Sequence, residues 1–184
     1  RSLTSDMATE ADMVRFNRGT PDMPLAGWKR SIRAANRMCE VVFEDERGEE
    51  LEVEDILPYS LDADHIDLED DDYGIWYLDI QDHPDRYVGK TITFKAQAMT
   101  SLKLPKGTFI PGRNAMTCCV EDIRFFGFLC KYDRARSLRK GEWVTVHAAI
   151  QWEHANVYEG EGVVLYADQV EKAQAPEDPL VYFR

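Results

Sequence analysis

From Thr91 to Ala98 apolar and polar side chains alternate without a break: Ile92, Phe94, Ala96 and Ala98 fall on one side, Thr91, Thr93, Lys95 and Gln97 on the other. Successive side chains of a strand point to opposite faces, so this segment predicts a strand with one face in a core. The same period returns at 143–152, where Val144, Val146, Ala148, Ile150 and Trp152 share a side and His147 takes the other. Between the two, a loop bearing Leu104-Pro-Lys-Gly leads to a strand at about 109–120. A turn at Glu121–Arg124 sends the chain back into another at about 125–132, and the basic stretch 133–142 predicts a short helix or turn. A fifth strand at 163–170 follows an Asn/Glu/Gly-rich turn. Five short strands with one helical break between the third and the fourth match a five-stranded OB-like Greek-key barrel, with a small sandwich as the alternative.

Upstream the period changes. Leu25, Trp28, Ile32, Ala35 and Met38 recur at helical spacing against Lys29, Arg30, Arg33 and Arg37, which predicts an amphipathic helix whose apolar stripe faces a core. Cys39–Asp45 and Leu51–Ile56 read as two strands of a hairpin around Gly48. Residues 1–24 show no clear period and read as an irregular or partly helical lead. Asp82–Gly89 reads as a short helix with Pro84 in its first turn and Gly89 at its end. The fold expected is thus mainly β, with an acidic α+β region over 1–72 and the barrel over 73–184.

Charge narrows the functional classes. Between Glu44 and Asp72 there are fifteen acidic residues and one Arg. No register there supplies the glycine at position 6 that a calcium loop requires, so the run reads as a solvated acidic linker. The whole chain carries a formal charge of -12, which opposes binding of a phosphate backbone. Phe125, Phe126 and Phe128 could stack bases in an OB-like barrel, yet adjacent strand phenylalanines read first as packing, and nucleic acid is not an expected partner. No apolar run is long enough to span a bilayer. The chain starts Arg-Ser-Leu-Thr without an initiator Met, which leaves room for an anchor upstream. No nucleophile elbow, paired catalytic carboxylates or phosphate-cradling glycine loop is present, and no small-molecule substrate is identifiable.

The remaining chemistry lies in Met116-Thr117-Cys118-Cys119-Val120-Glu121-Asp122. On a strand the two thiols point opposite ways, Cys118 with the apolar set and Cys119 with the polar one. Free cysteine is commonly a small buried hydrophobe, and Cys39 and Cys130 read that way. Alternation puts Phe126, Phe128, Cys130 and Tyr132 inward with Lys131 outward. It also sets Cys130 one diagonal position from Cys118, slightly too far for an unstrained disulfide. Thiolates with an oxygen or imidazole donor suit a borderline metal such as zinc. Asp122 is the nearest carboxylate and His147 a conceivable fourth group. A thiol–disulfide role competes, since Arg113 and Arg124 flank the pair and a cation lowers a thiol pKa.

Pro84, Tyr87, Gly89 and Lys90, the Met116–Val120 run with Asp122, Gly127, Lys140–Val144, Pro176-Glu177-Asp178-Pro179 and Tyr182 together resemble the YcgQ-like permease-subunit proteins of bacteria, whose soluble C-terminal region is a domain of unknown function. The likeness runs from about Tyr77 to the end. It departs in lacking preceding membrane helices, in the acidic region, and in Cys130, where relatives commonly have an aliphatic residue. The resemblance implies a non-enzymatic partner of a membrane permease subunit, membrane-associated through an upstream segment and extracytoplasmic, with a link to metal handling. The expected metal residues are Cys118, Cys119 and Asp122. The competing expectations are an interaction module with structural cysteines and a thiol–disulfide protein.

Overall fold

A computed structural model describes the backbone of residues 3–53, 56–117 and 122–183, with side chains from residue 7 onward. It divides into two units, one of residues 1–57, 116–124 and 182–184, the other of 58–115 and 125–181.

The first unit holds α1 (Leu3–Glu10), β1 (Met13–Phe16), α2 (Leu25–Ala35) and β2 (Glu40–Phe43). The lead, expected to be irregular or partly helical, holds a helix and also a strand that was not expected. β1 runs parallel to β2 with Phe16 opposite Phe43, and their rings stack with centroids 5.0 Å apart. Four residues are too few for an alternation to show, and the partner strand lies far along the chain. Of the expected hairpin the first strand forms as β2 and so does the turn: Asp45 Oδ1 accepts from the Arg47 and Glu49 amides, Gly48 takes φ 80°, and a bridge joins Glu44 to Glu50. Among the described residues of the expected second strand, 51–53 and 56, none is in a strand, and 54 and 55 lie outside the described residues. α2 forms as expected and ends at Asn36. Its buried positions are Leu25, Gly27 and Ala34, whereas Trp28 and Met38, expected to face a core, are 39% and 90% exposed.

The second unit is built on β3 (His65–Asp67), α3 (Tyr73–Asp82), β4 (Thr91–Met99), β5 (Thr108–Met116), β6 (Ile123–Gly127), β7 (Leu129–Lys131), β8 (Trp143–Ala155) and β9 (Gly160–Lys172). β5 pairs β7, β7 pairs β9, β9 pairs β8, β8 pairs β4, and β4 returns to β5. Five strands close on themselves, and only the β7–β9 contact is parallel. With the barrel strands counted in chain order this is the path 1-2-3-5-4-1, so the fold is a mainly β, OB-like Greek-key barrel. β4 buries Ile92, Phe94, Ala96 and Ala98, as its alternation requires.

The third strand differs from expectation. It is split: β6 folds back on β5 as a hairpin off the closed path, and β7 alone completes the barrel. The acidic run is also more than a solvated linker. Its end supplies β3, parallel to β4, and Asp70, which binds Lys95 and Arg113 at 2.9 and 3.1 Å. α3 was not expected at all. It buries Tyr73, Trp76, Leu78, Asp79 and Ile80, and a helix covered nearly all round has no polar face to betray it. Among the described residues no helix is long and apolar enough to cross a membrane.

Candidate functional site

The barrel interior is filled. Trp76 of α3 meets Phe94 at 5.2 Å and Phe128 at 5.4 Å between ring centroids, and Phe109, Cys130, Ile150 and Leu165 are each 0% exposed. These side chains form the barrel core among the described residues.

The hairpin β5–β6 carries the predicted metal segment. A Cβ on Gly112 would lie 2.3 Å from the Phe126 carbonyl oxygen, and one on Gly127 would lie 2.5 Å from that of Pro111. Only residues without a Cβ let the two strands approach so closely. Beyond that crossing Thr117 is buried and Asp122 half-buried. Cys118 and Cys119 lie outside the described residues. Cys130 stands opposite Phe109 near the start of β5; its expected diagonal relation to Cys118 lies outside the described residues. β7 takes the beginning of β5, while β6 occupies the stretch that a single long third strand would have used.

The other two cysteines are sealed, Cys39 at 1% and Cys130 at 0% exposure. Burial pushes the Cys130 thiol up to about 12 and raises that of Cys39. Burial likewise lifts Tyr158 to about 12 and raises Tyr73 and Tyr87. Each of these groups holds its proton more tightly folded than unfolded. Their stabilisation is therefore complete below the unfolded values, roughly 8.5 for a thiol and 10 for a phenol, and is lost as pH rises toward the folded ones. The urea midpoint is expected to fall continuously from about pH 9 to 12, with a later onset in Cys130→Val. A midpoint flat to pH 11 would contradict this.

Arg113, expected to act on the thiols, is spoken for elsewhere. Its side chain is 1% exposed. Nη1 donates to the Asp70 carbonyl at 2.8 Å and to Asp70 Oδ1 at 3.1 Å, and Nη2 donates to the Asp178 carbonyl at 3.0 Å. The guanidinium lies 5.5 Å from the Trp143 ring centroid and 5.9 Å from that of Tyr73. It therefore ties the Pro-Glu-Asp-Pro run to the barrel.

His147 points outward, as alternation requires, but it is engaged. A β-bulge between β8 and β9 leaves Asp168 without a partner of its own in the ladder. Bulges re-aim side chains, and here Asp168 Oδ1 reaches His147 Nδ1 at 2.6 Å. That hydrogen bond holds the Asp168 carboxyl below its ordinary value. His65 stacks on His147 with centroids 5.3 Å apart and planes at 23°. Near-parallel rings do not converge their nitrogens on one point, so this pair is a surface stack. Among the described residues no group of three or more His, Cys, Asp or Glu could hold a metal.

One buried polar chain escaped the sequence reading. Tyr59 and Tyr87 share a hydrogen bond of 2.8 Å, Tyr87 donates to Asp79 at 2.6 Å, and Arg86 reaches the same carboxylate at 3.3 Å. The lone Asp79 within the apolar run Ile75–Ile80 was the available signal, since a buried carboxylate needs donors.

The profile of the DUF1980 C-terminal domain matches residues 43–183. The chain belongs to that family. No curated protein matches it. The DUF1980 domain also aligns with a solved mitochondrial single-stranded DNA-binding protein from S. cerevisiae at 10% identity, over 45% of this chain and 93% of that one, with a TM-score of 0.26. A likeness of that size carries no argument. The DUF1980 match covers the closed barrel, the crossed hairpin, Arg113 and the Asp79 chain.

Proposed function

We propose that this DUF1980 domain is a non-enzymatic module of a membrane permease-associated protein that captures a borderline metal ion such as zinc transiently through Cys118 and Cys119, with Asp122 as the oxygen donor. The observation that carries the reading is the state of the other thiols. Cys39 and Cys130 are sealed from solvent, and burial holds the Cys130 proton to about pH 12, so thiolate chemistry near neutrality falls to the vicinal pair. The permease partner and an extracytoplasmic position follow from the resemblance of the motif-bearing residues.

Cobalt titration of the reduced protein tests the metal role, because thiolate ligation produces sulfur-to-metal charge-transfer absorption in the near ultraviolet. The bands are expected in the wild type and absent in Cys118→Ser/Cys119→Ser, with weaker binding in Asp122→Asn. Identical spectra in wild type and double variant would remove the metal role and leave an interaction module whose cysteines only pack.

A further inference from the structure

The chain is acidic as a whole, yet one end of the barrel is not. The loop from β4 to β5 carries Lys103 and Lys106, and the segment from β7 to β8 carries Arg134, Arg136, Arg139 and Lys140. All six are exposed. Asp133 and Glu142 are the only acidic residues in the two stretches, and among the described residues none of the six cations makes an ion pair. Lys131 nearby is different, being bound to Glu153 and Tyr166 at 2.6 Å each.

The backbone brings the two stretches together. Tyr132 N–H donates to the Gly107 carbonyl at 2.8 Å, Gly141 N–H to that of Ala98 at 2.8 Å, and Ala98 N–H to that of Glu142 at 2.9 Å. Between them opens a cleft of about 470 Å³, with Leu102, Leu104, Pro105 and Leu138 along its wall and Lys106 and Arg136 at its rim. Leu102 stands fully in solvent. Arg134 lies over the Tyr132 ring at 5.6 Å, and the other five cations make no ion pair among the described residues. An apolar recess with Lys106 and Arg136 at its rim and further cations on the same two segments is the usual anatomy of a binding patch, whose core excludes water while its charges choose the partner.

We infer that this cleft docks an acidic polypeptide segment that inserts an apolar side chain between the β4–β5 loop and residues 135–138. Charge complementarity selects the acidic partner. The recess selects a protruding side chain over a flat lipid surface. No aromatic residue lines the cleft, so a nucleic-acid base has no ring to stack on. The inference does not depend on the cysteines and stands apart from the metal reading.

The test is fluorescence anisotropy of the full chain with a labelled peptide of alternating Glu, Asp and Leu, beside matched peptides carrying Lys for each acid or Ala for each Leu. The acidic leucine peptide is expected to bind tightest. Affinity should fall at least about tenfold in Lys106→Glu/Arg136→Glu and should weaken with added salt. Both positions are exposed, and circular dichroism checks the fold. If that variant does not fold, the three peptides on the wild-type protein decide the matter together with Lys103→Glu/Lys140→Glu. Equal affinity for the acidic and lysine peptides, or binding unchanged by charge reversal, overturns the inference. So does tighter binding to phosphatidylglycerol vesicles or to an oligothymidine than to the acidic peptide, which would make the patch a membrane or nucleic-acid face.

Discussion

Trp76→Ala is expected to lower the unfolding free energy by about 3 to 5 kcal/mol, the range for deleting a large aromatic from a core that cannot collapse around the gap. The indole is 0% exposed and touches Tyr73, Phe94 and Phe128 with centroids 5.2 to 5.4 Å apart. With Tyr73, which lies 6.0 Å from Phe94, and Tyr77, which stacks on Phe128 at 4.7 Å, it joins α3 to β4 and to the residue before β7. Phe94 is fixed in β4 and Phe128 lies between β6 and β7, so neither can move into the gap without disturbing the strands around it. Trp76→Phe should cost much less than Trp76→Ala. Phe keeps most of the contact area and removes an indole N–H that finds no acceptor among the described residues, a donor whose burial is itself unfavourable. Urea denaturation of the three proteins measures both quantities. A loss below about 1 kcal/mol in Trp76→Ala would mean that the helix does not fill the barrel.

Arg113→Met is expected to destabilise by about 3 kcal/mol, within the range for breaking a buried charge pair from one side. Met retains the apolar stem but leaves the carbonyl oxygens of Asp70 and Asp178 without the guanidinium that now satisfies them. Asp70 would keep Lys95 at 2.9 Å, which limits the loss. The effect should also be local. Amide exchange at residues 177–180 should rise more than exchange along β4 and β8, because Asp178 is held from outside its own segment. Arg113→Lys should not restore protection, since an ammonium cannot bridge two carbonyls and lie between two rings as a planar fork does. Uniform acceleration across the barrel would show that Arg113 supports the core generally and does not tether the tail.

Residue by residue, the site was less legible than the fold. Thr91–Met99 and 143–150 could be read from period alone because one face of each is buried and the other meets solvent, whereas Trp152, on the buried side by period, is 38% exposed where the alternation ends. β6 and β7 could not be separated in that way. Their apolar residues Phe125, Phe126, Phe128 and Leu129 run together, and the division depends on Gly112 and Gly127 letting strands cross at a distance no Cβ allows. With the strand divided, Cys130 pairs with Phe109 at the start of β5. Arg113 was read as a cation free to act on a thiol because its binding partners, Asp70 and Asp178, are distant in sequence. Asp168 drew no attention because the bulge that aims it at His147 has no local signature.

The alternation of apolar and polar residues by itself determined that this is mainly a β protein, how many strands close its barrel, and which faces of the first and fourth are inside. Period is a local property, and burial of one face enforces it. Only the tertiary structure decided that a helix with no polar face packs on the barrel core, that part of the acidic run becomes a strand and an anchor for a buried arginine, and that Lys106 and Arg136, from two separate segments, line one apolar cleft. Each of those depends on groups far apart along the chain, brought together by packing and hydrogen bonding that no short window of sequence contains.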